Sequence, residues 1–91
     1  MPRKISAVKY RPVFLKHLSR LPKGIIEKAK EREQIFRKNA FDPRLRTHKL
    51  HGRDKDSWAF WIDYTYRIKF IFLSEEEVLF LDVGTHDIYK K

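Results

Sequence analysis

The residues able to do chemistry in this chain are cations and imidazoles, and they gather in its second half. Lys49, His51, Arg53, Lys55, Arg67, Lys69, His86, Lys90 and Lys91 fall on the strand edges and loops that follow Leu45, with His48 beside them. Cutting RNA without a metal needs little else. A base takes the ribose 2′-hydroxyl proton, cations stabilise the extra charge on the phosphorane, and an acid protonates the leaving 5′-oxygen. Histidine can move protons near neutral pH, and the planar guanidinium of arginine matches phosphate geometry. Trp58, Trp61, Tyr64 or Tyr89 could stack an unpaired base. Plainer readings stand beside these. Trp58, Phe60, Ile68, Phe70 and Phe80 read as core, and Trp61 reads equally as a stacking platform or a partly covered sheet residue. His48 fits a core-edge histidine, and His86, after a glycine and beside Asp87, fits a cap on the tail. Arg53, Lys55 and the tail lysines read as general electrostatics.

Other chemistries find no support. His48 and His51 are three apart, which on a strand puts them on opposite faces, and no carboxylate sits at a familiar ligand spacing, so no metal is expected. Three glycines in the chain cannot supply a phosphate-cradling or dinucleotide loop. No serine sits in a nucleophile elbow, and no cofactor is implied. The absence of cysteine removes disulfides and thiolate sites and fits a reducing cytosol.

The balance of 21 Lys and Arg against 12 Asp and Glu gives a formal charge of +9. A field of that sign favours a polyanion: nucleic acid, an acidic membrane surface or an acidic protein. The alternative is a basic surface that binds nothing. At 91 residues, 42% hydrophobic and 14% aromatic, the chain should form one folded domain with a modest core. It has no apolar run of membrane-spanning length. Its start, Met1-Pro2-Arg3-Lys4-Ile5, lacks the apolar centre of a signal peptide. A cytoplasmic protein is expected.

The elements that must position these residues follow from the hydrophobic period. Lys4 to Tyr10 alternates loosely and predicts a strand, with Ile5 and Ala7 or Val8 inward. Pro12 suits the first turn of a helix whose apolar stripe is Phe14, Leu15, Leu18 and Leu21. Pro22 ends it and opens a second helix from about Lys23 to Lys38, with Ile25, Ala29 and Phe36 inward, flanked by Ile26 and Ile35. Asp42-Pro43 turns the chain, and the period then changes from 3.6 to 2. Strands are predicted over Thr47–His51, Ser57–Asp63, Tyr66–Leu73 and Val78–Val83, with a short helical turn or tail after them. The last strand is apolar almost throughout, which predicts a central strand or one covered on both faces. The helix hairpin can cover one sheet face only. If Tyr66, Ile68, Phe70 and Phe72 pack beneath it, Arg67 and Lys69 lie on the uncovered face. A tight hairpin at Tyr64-Thr65 would then set Ile62 opposite Arg67 on one face; only a bulge or an odd loop relieves this, and a bulge is predicted there. The class is α+β: an N-terminal strand and an α-helical hairpin on one face of a mainly antiparallel, four- to five-stranded twisted sheet.

This order, the joint Leu21-Pro22-Lys23, the run Thr47-His48-Lys49-Leu50-His51-Gly52, the segment Tyr66-Arg67-Ile68 and the ending Gly84-Thr85-His86-Asp87-Ile88-Tyr89 together resemble the RelE/ParE superfamily of toxins from bacterial toxin–antitoxin systems. The resemblance spans essentially the whole chain and is closest to the RelE/YafQ-like mRNA interferases. It implies a RelE-like, microbial RNase-like fold and an endoribonuclease that enters the ribosomal A site and cuts bound mRNA. The implied partners are the ribosome, mRNA and a cognate acidic antitoxin; the free toxin is expected to be monomeric and the antitoxin to lie over the helices or sheet edge and mask the cationic face. By position, Arg67 matches the arginine at the scissile phosphate, His86 the catalytic position after the last strand, Tyr89 a supporting C-terminal aromatic, and His48 a histidine of the YafQ-like branch. Lys49, His51, Arg53, Lys55, Trp61, Lys69 and Lys90 are the candidate nucleic-acid contacts. Trp61 and Thr65 stand where that branch has a further histidine and an aspartate, which leaves the general base open. The alternatives are a ParE-like poison of DNA gyrase and a non-catalytic RNA or ribosome binder.

Overall fold

Two helices pack on a five-stranded mixed sheet. The computed structural model describes residues 2–52 and 56–90, with backbone alone at 89 and 90. The elements in order are β1 (Ala7–Tyr10), α1 (Pro12–Ser19), α2 (Lys23–Lys38), a 3-10 turn (Pro43–Leu45), β2 (His48–Lys49), β3 (Trp58–Trp61), β4 (Tyr66–Phe72), β5 (Glu77–Thr85) and a C-terminal 3-10 helix (His86–Lys90). The sheet runs β1-β5-β4-β3-β2; β1 is parallel to β5 and every other pairing is antiparallel.

The core is an aromatic stack between the helices and one sheet face. Phe36 of α2 lies 4.7 Å from Phe60, 4.9 Å from Phe70 and 5.6 Å from Phe80, ring centre to ring centre. Phe14 of α1 meets Phe80 edge-on at 5.3 Å. Ile5, Ala29, Leu45, Ile62, Ile68, Val78 and Val83 complete it. Tilted and stacked ring pairs of this kind add to the area they bury. α2 has the predicted bounds, and Pro12 opens α1 as expected. Leu15 does not join the stripe: it is exposed, because one turn of α1 faces β5 through Phe14 and Leu18 and leaves the adjacent position outward.

Strand bounds differ from expectation at the edges. β1 begins at Ala7 rather than Lys4; Ile5 is buried, but its N–H donates to the Arg37 carbonyl instead of the sheet. β2 is only His48–Lys49, so His51 lies beyond the strand and the opposite-face argument for it does not apply. β5 sits inside the sheet as predicted, yet only Val78, Phe80 and Val83 are fully buried while Leu79 and Leu81 are half-covered: one face meets the helices and the other does not.

The largest correction is the position of the irregularity. β3 and β4 pair without a shift, Phe60 with Ile68 and Trp61 with Arg67. Ile62 N–H then bonds the Tyr66 carbonyl, so the turn holds residues 63 to 65 and an odd loop resolves the parity conflict. The bulge lies one strand over. Lys69 pairs with Asp82 but Phe70 with Phe80, which leaves Leu81 without a partner in β4. This lets Phe80 and Val83, three residues apart, share the core face.

Phe36 is fully buried and touches the three central rings. Phe36→Ala should lower the unfolding free energy by about 3–5 kcal/mol, a large part of the ~5–15 kcal/mol usual for such a domain. Urea unfolding checks this; a loss under about 1 kcal/mol would mean the rings repack around the gap.

Candidate functional site

Residues of β3, β4 and the end of β5 enclose an open cleft of about 500 Å³ lined by Trp61, Tyr64, Thr65, Arg67, Thr85 and His86. The ladder puts them there. Arg67 lies opposite Trp61 on one side and Gly84 on the other, and Tyr66 opposite Thr85. The bulge at Leu81 decides which residues of β5 reach this row. It places Gly84 beside Arg67 on the face away from the helices, and the chain leaves the strand at the next residue.

Arg67 is only 9% exposed, as is Lys69. The sheet face is the expected one, but neither cation stands free in solvent. For Arg67 the cover is visible. Its Nη1 donates to the carbonyl oxygens of Asp63 (2.9 Å) and Tyr64 (2.6 Å), and its Cζ lies 4.1 Å from the Trp61 ring centre. The turn that supplies those carbonyls is itself fixed by Asp63, whose Oδ1 accepts the N–H groups of Thr65 (2.8 Å) and Tyr66 (2.7 Å). Among the described residues, the hydrogen bonds of Arg67 all leave from Nη1. Nε and Nη2, the side-on edge of the guanidinium, stay available to an anion.

His86 opens the C-terminal 3-10 helix, is exposed, and lines the same cleft. Gly84 sets its place. A Cβ on Gly84 would come within 2.9 Å of Ile88 Cγ2, so the missing side chain is what lets the helix fold back and bury Ile88 against β4 and β5. Tyr89 and Lys90 belong to this helix.

The other predicted residues are spread out. His48 is on β2, two strands from Arg67 on the same face, opposite Ala59, and does not line the cleft. Its Nδ1 lies 2.9 Å from the Arg46 carbonyl; a carbonyl only accepts, so Nδ1 carries the proton. Lys49 pairs with Trp58 and falls on the other face. His51 is exposed beyond β2. Lys69 is one step along β4 from Arg67 on the same face, opposite Ala59 and Asp82. Arg53 and Lys55 lie outside the described residues.

Sequence reasoning missed Arg46. It ends the 3-10 turn in the left-handed conformation (φ 52°), the one positive φ outside glycine among the described residues. Its Cζ lies 4.7 Å from the Trp61 ring centre, so Trp61 carries two guanidiniums. Left-handed backbone favours glycine or asparagine, so no local signal marked an arginine here. What holds it is the segment before. Asp42 accepts the Arg44 N–H (2.9 Å) and ion-pairs with its side chain (2.8 Å), Leu45 is buried in the core, and the Thr47 hydroxyl donates to the Ala40 carbonyl. The Arg44 guanidinium and N–H pull the Asp42 carboxyl down to about 2.

Compared with solved structures, this architecture has many counterparts. YafQ from E. coli strain BL21(DE3) superposes with a TM-score of 0.74 at 16% identity, covering 89% of this chain and 93% of that one. A YoeB/ParE toxin from Agrobacterium tumefaciens gives 0.74 at 13%, covering 88% and 98%. The archaeal RelE-RelB complex from Pyrococcus horikoshii OT3 gives 0.69 at 19%, covering 93% and 96%. The chain has the RelE/ParE toxin fold. No protein-family model and no curated protein matches it. At these identities the RelE/ParE likeness is one of architecture: two helices on a five-stranded mixed sheet.

Two outcomes test the geometry. Gly84→Ala forces a Cβ onto a branched, stiff side chain, so it should cost about 1–3 kcal/mol and shift the His86 imidazole resonances; an unmoved His86 spectrum would show that Ile88 yields without carrying the helix. The Asp42 lock has a depressed folded pKa. Its stabilisation is full above the ordinary 3.8 and is lost as pH falls through about 2. Acid unfolding of Asp42→Asn should lack that part of the decline, and parallel acid curves for the two proteins would contradict it.

Proposed function

We propose that the protein is a RelE/YafQ-like toxin that cleaves mRNA on the ribosome and is held inactive by an acidic antitoxin. The observation that carries this reading is the meeting of Arg67 and His86 in one cleft. The ribose 2′-oxygen attacks the adjacent phosphorus, its proton passes to a base, and the bond from phosphorus to the 5′-oxygen breaks as that oxygen takes a proton. The products are a 2′,3′-cyclic phosphate and a 5′-hydroxyl. Nε and Nη2 of Arg67 bind the phosphate and stabilise the charge that grows on it. His86, exposed at the cleft edge, moves a proton in this step. Tyr89 follows His86 in the same short helix and supports the reaction from there.

The remaining cations and imidazoles serve affinity rather than bond breaking. His48, Lys49, His51, Arg53, Lys55, Lys69 and Lys90 add to the positive field that attracts a polyanion. The +9 charge also suits an acidic antitoxin segment, as RelE of this fold is found in a complex with RelB.

In vitro translation followed by primer extension tests the reading. The wild type should produce RNA ends within A-site codons. His86→Ala should lower the cleavage rate by about 10²–10⁴-fold while the far-UV circular dichroism stays that of the wild type. Arg67→Lys keeps the charge but loses the planar fork, and should lower the rate by about 10²–10³-fold. Gyrase-dependent DNA breaks with intact mRNA, or translation arrest without new RNA ends, would overturn the nuclease.

A further inference from the structure

The aromatic residues of the sheet half differ in what their rings already do. Trp58 is packed edge-on against Phe41 and Phe72. Trp61 is engaged by Arg46, Arg67 and the edge of Tyr64. Tyr64 is the exception. Its side chain sits at the tip of the β3–β4 turn, lines the cleft, and is 81% exposed. It meets Trp61 at an interplanar angle of 81°, an edge contact that orients the ring without using both faces.

A large exposed ring at the tip of a three-residue turn is an uncommon choice where glycine, asparagine or serine would serve. It is also a rigid one. The Asp63 carboxylate accepts two N–H groups of the turn, and Arg67 donates to the carbonyl of Tyr64 itself at 2.6 Å. The backbone that carries the Tyr64 ring is therefore tied directly to the Arg67 guanidinium. A platform held in place before binding loses little entropy when a ligand arrives.

We propose that Tyr64 is the stacking platform for an unpaired base of the same strand whose phosphate Arg67 holds. This rests on the reading of the cleft as an RNA site. It assigns the stacking role to Tyr64 in place of Trp61, whose ring instead holds two guanidiniums. The ligand class follows from the pairing of a cation with an open π-face. An acidic peptide offers charge without a base, and a duplex offers phosphates with its bases stacked inside; a single strand offers both.

The test uses the full chain and a short single-stranded RNA that is 2′-O-methylated throughout, so that it binds without being cut. Tyr64→Ala should weaken binding by about 5- to 100-fold, the range for loss of one base–aromatic stack, while Tyr64→Phe keeps it. An abasic position in the oligonucleotide should weaken the wild type by a similar factor and leave Tyr64→Ala unaffected. Because the side chain is exposed, the far-UV circular dichroism of the variants should match the wild type. Wild-type affinity in Tyr64→Ala, an equal loss on intact and abasic strands, or Tyr64-dependent capture of an acidic peptide with no RNA binding would each overturn the platform. Tyr64-dependent binding by a protein that never produces RNA ends keeps the platform and rejects the nuclease. A-site cleavage and RNA binding that are both indifferent to Tyr64→Ala do the reverse.

Discussion

A guanidinium nearly withdrawn from water sets the terms for the face opposite the helices. Taking such a cation out of solvent costs several kcal/mol unless acceptors and a polarisable surface replace the water. Arg67 receives both: the carbonyls of Asp63 and Tyr64, and the indole of Trp61. Those carbonyls point back at β4 only because the turn has an odd number of residues and is closed by the Asp63 carboxylate. One strand arginine thus constrains a turn length, an aspartate and a tryptophan. The arrangement leaves Nε and Nη2 of the guanidinium without an acceptor among the described residues, in a residue that lines the cleft.

A second constraint reaches the same point from the other side of β4. Phe80 and Val83 both belong to the aromatic core, yet they are three residues apart and a regular strand would send them to opposite faces. The bulge at Leu81 absorbs the odd residue. Asp82 anchors that bulge to α1: its Oδ1 lies 2.6 Å from His17 Nδ1 and accepts the Val83 N–H. Downstream, the same extra residue decides that Gly84 stands next to Arg67. The chain then breaks into the helix that carries His86. Core packing on one face therefore fixes where the imidazole appears on the other.

Much of this was legible because it depends on period. Phe14 and Leu18 at helical spacing, Phe60 and Ile62, and Ile68 and Phe70 at strand spacing gave the layers, the helix hairpin and the face of Arg67. The parity conflict between Ile62 and Arg67 was also visible, since it follows from counting residues. Its resolution was not. A bulge and an odd turn correct parity equally well, and choosing between them depends on which contacts hold the turn together; the Asp63 side chain favours the odd turn. The actual bulge was hidden in β5, where an almost continuous apolar run carries no alternation to be violated. The pairing of Arg67 with His86 could be anticipated only through resemblance, whereas Arg46 had no signature at all. Its left-handed backbone is imposed by the Asp42–Arg44 lock and by the anchoring of Leu45, and one arginine in a chain with 21 Lys and Arg does not stand out.

The cluster around Trp61 shows how binding and stability pull apart in such a molecule. Two guanidiniums at one indole gain cation–π energy, about 0.5–2 kcal/mol each depending on exposure, but they also repel one another. In the free protein that repulsion is opposed by backbone carbonyls and by solvent, with counterions screening it. A phosphate in the cleft would neutralise it directly, and its binding energy would include the relief. The same physics limits how many cations the cleft can carry. Each added cation in the cleft would raise affinity for an anion while lowering the stability of the unbound fold. A sheet held together on one face by rings can carry partly desolvated cations on the other, and Arg67 and Arg46 occupy the places where an indole reduces that cost.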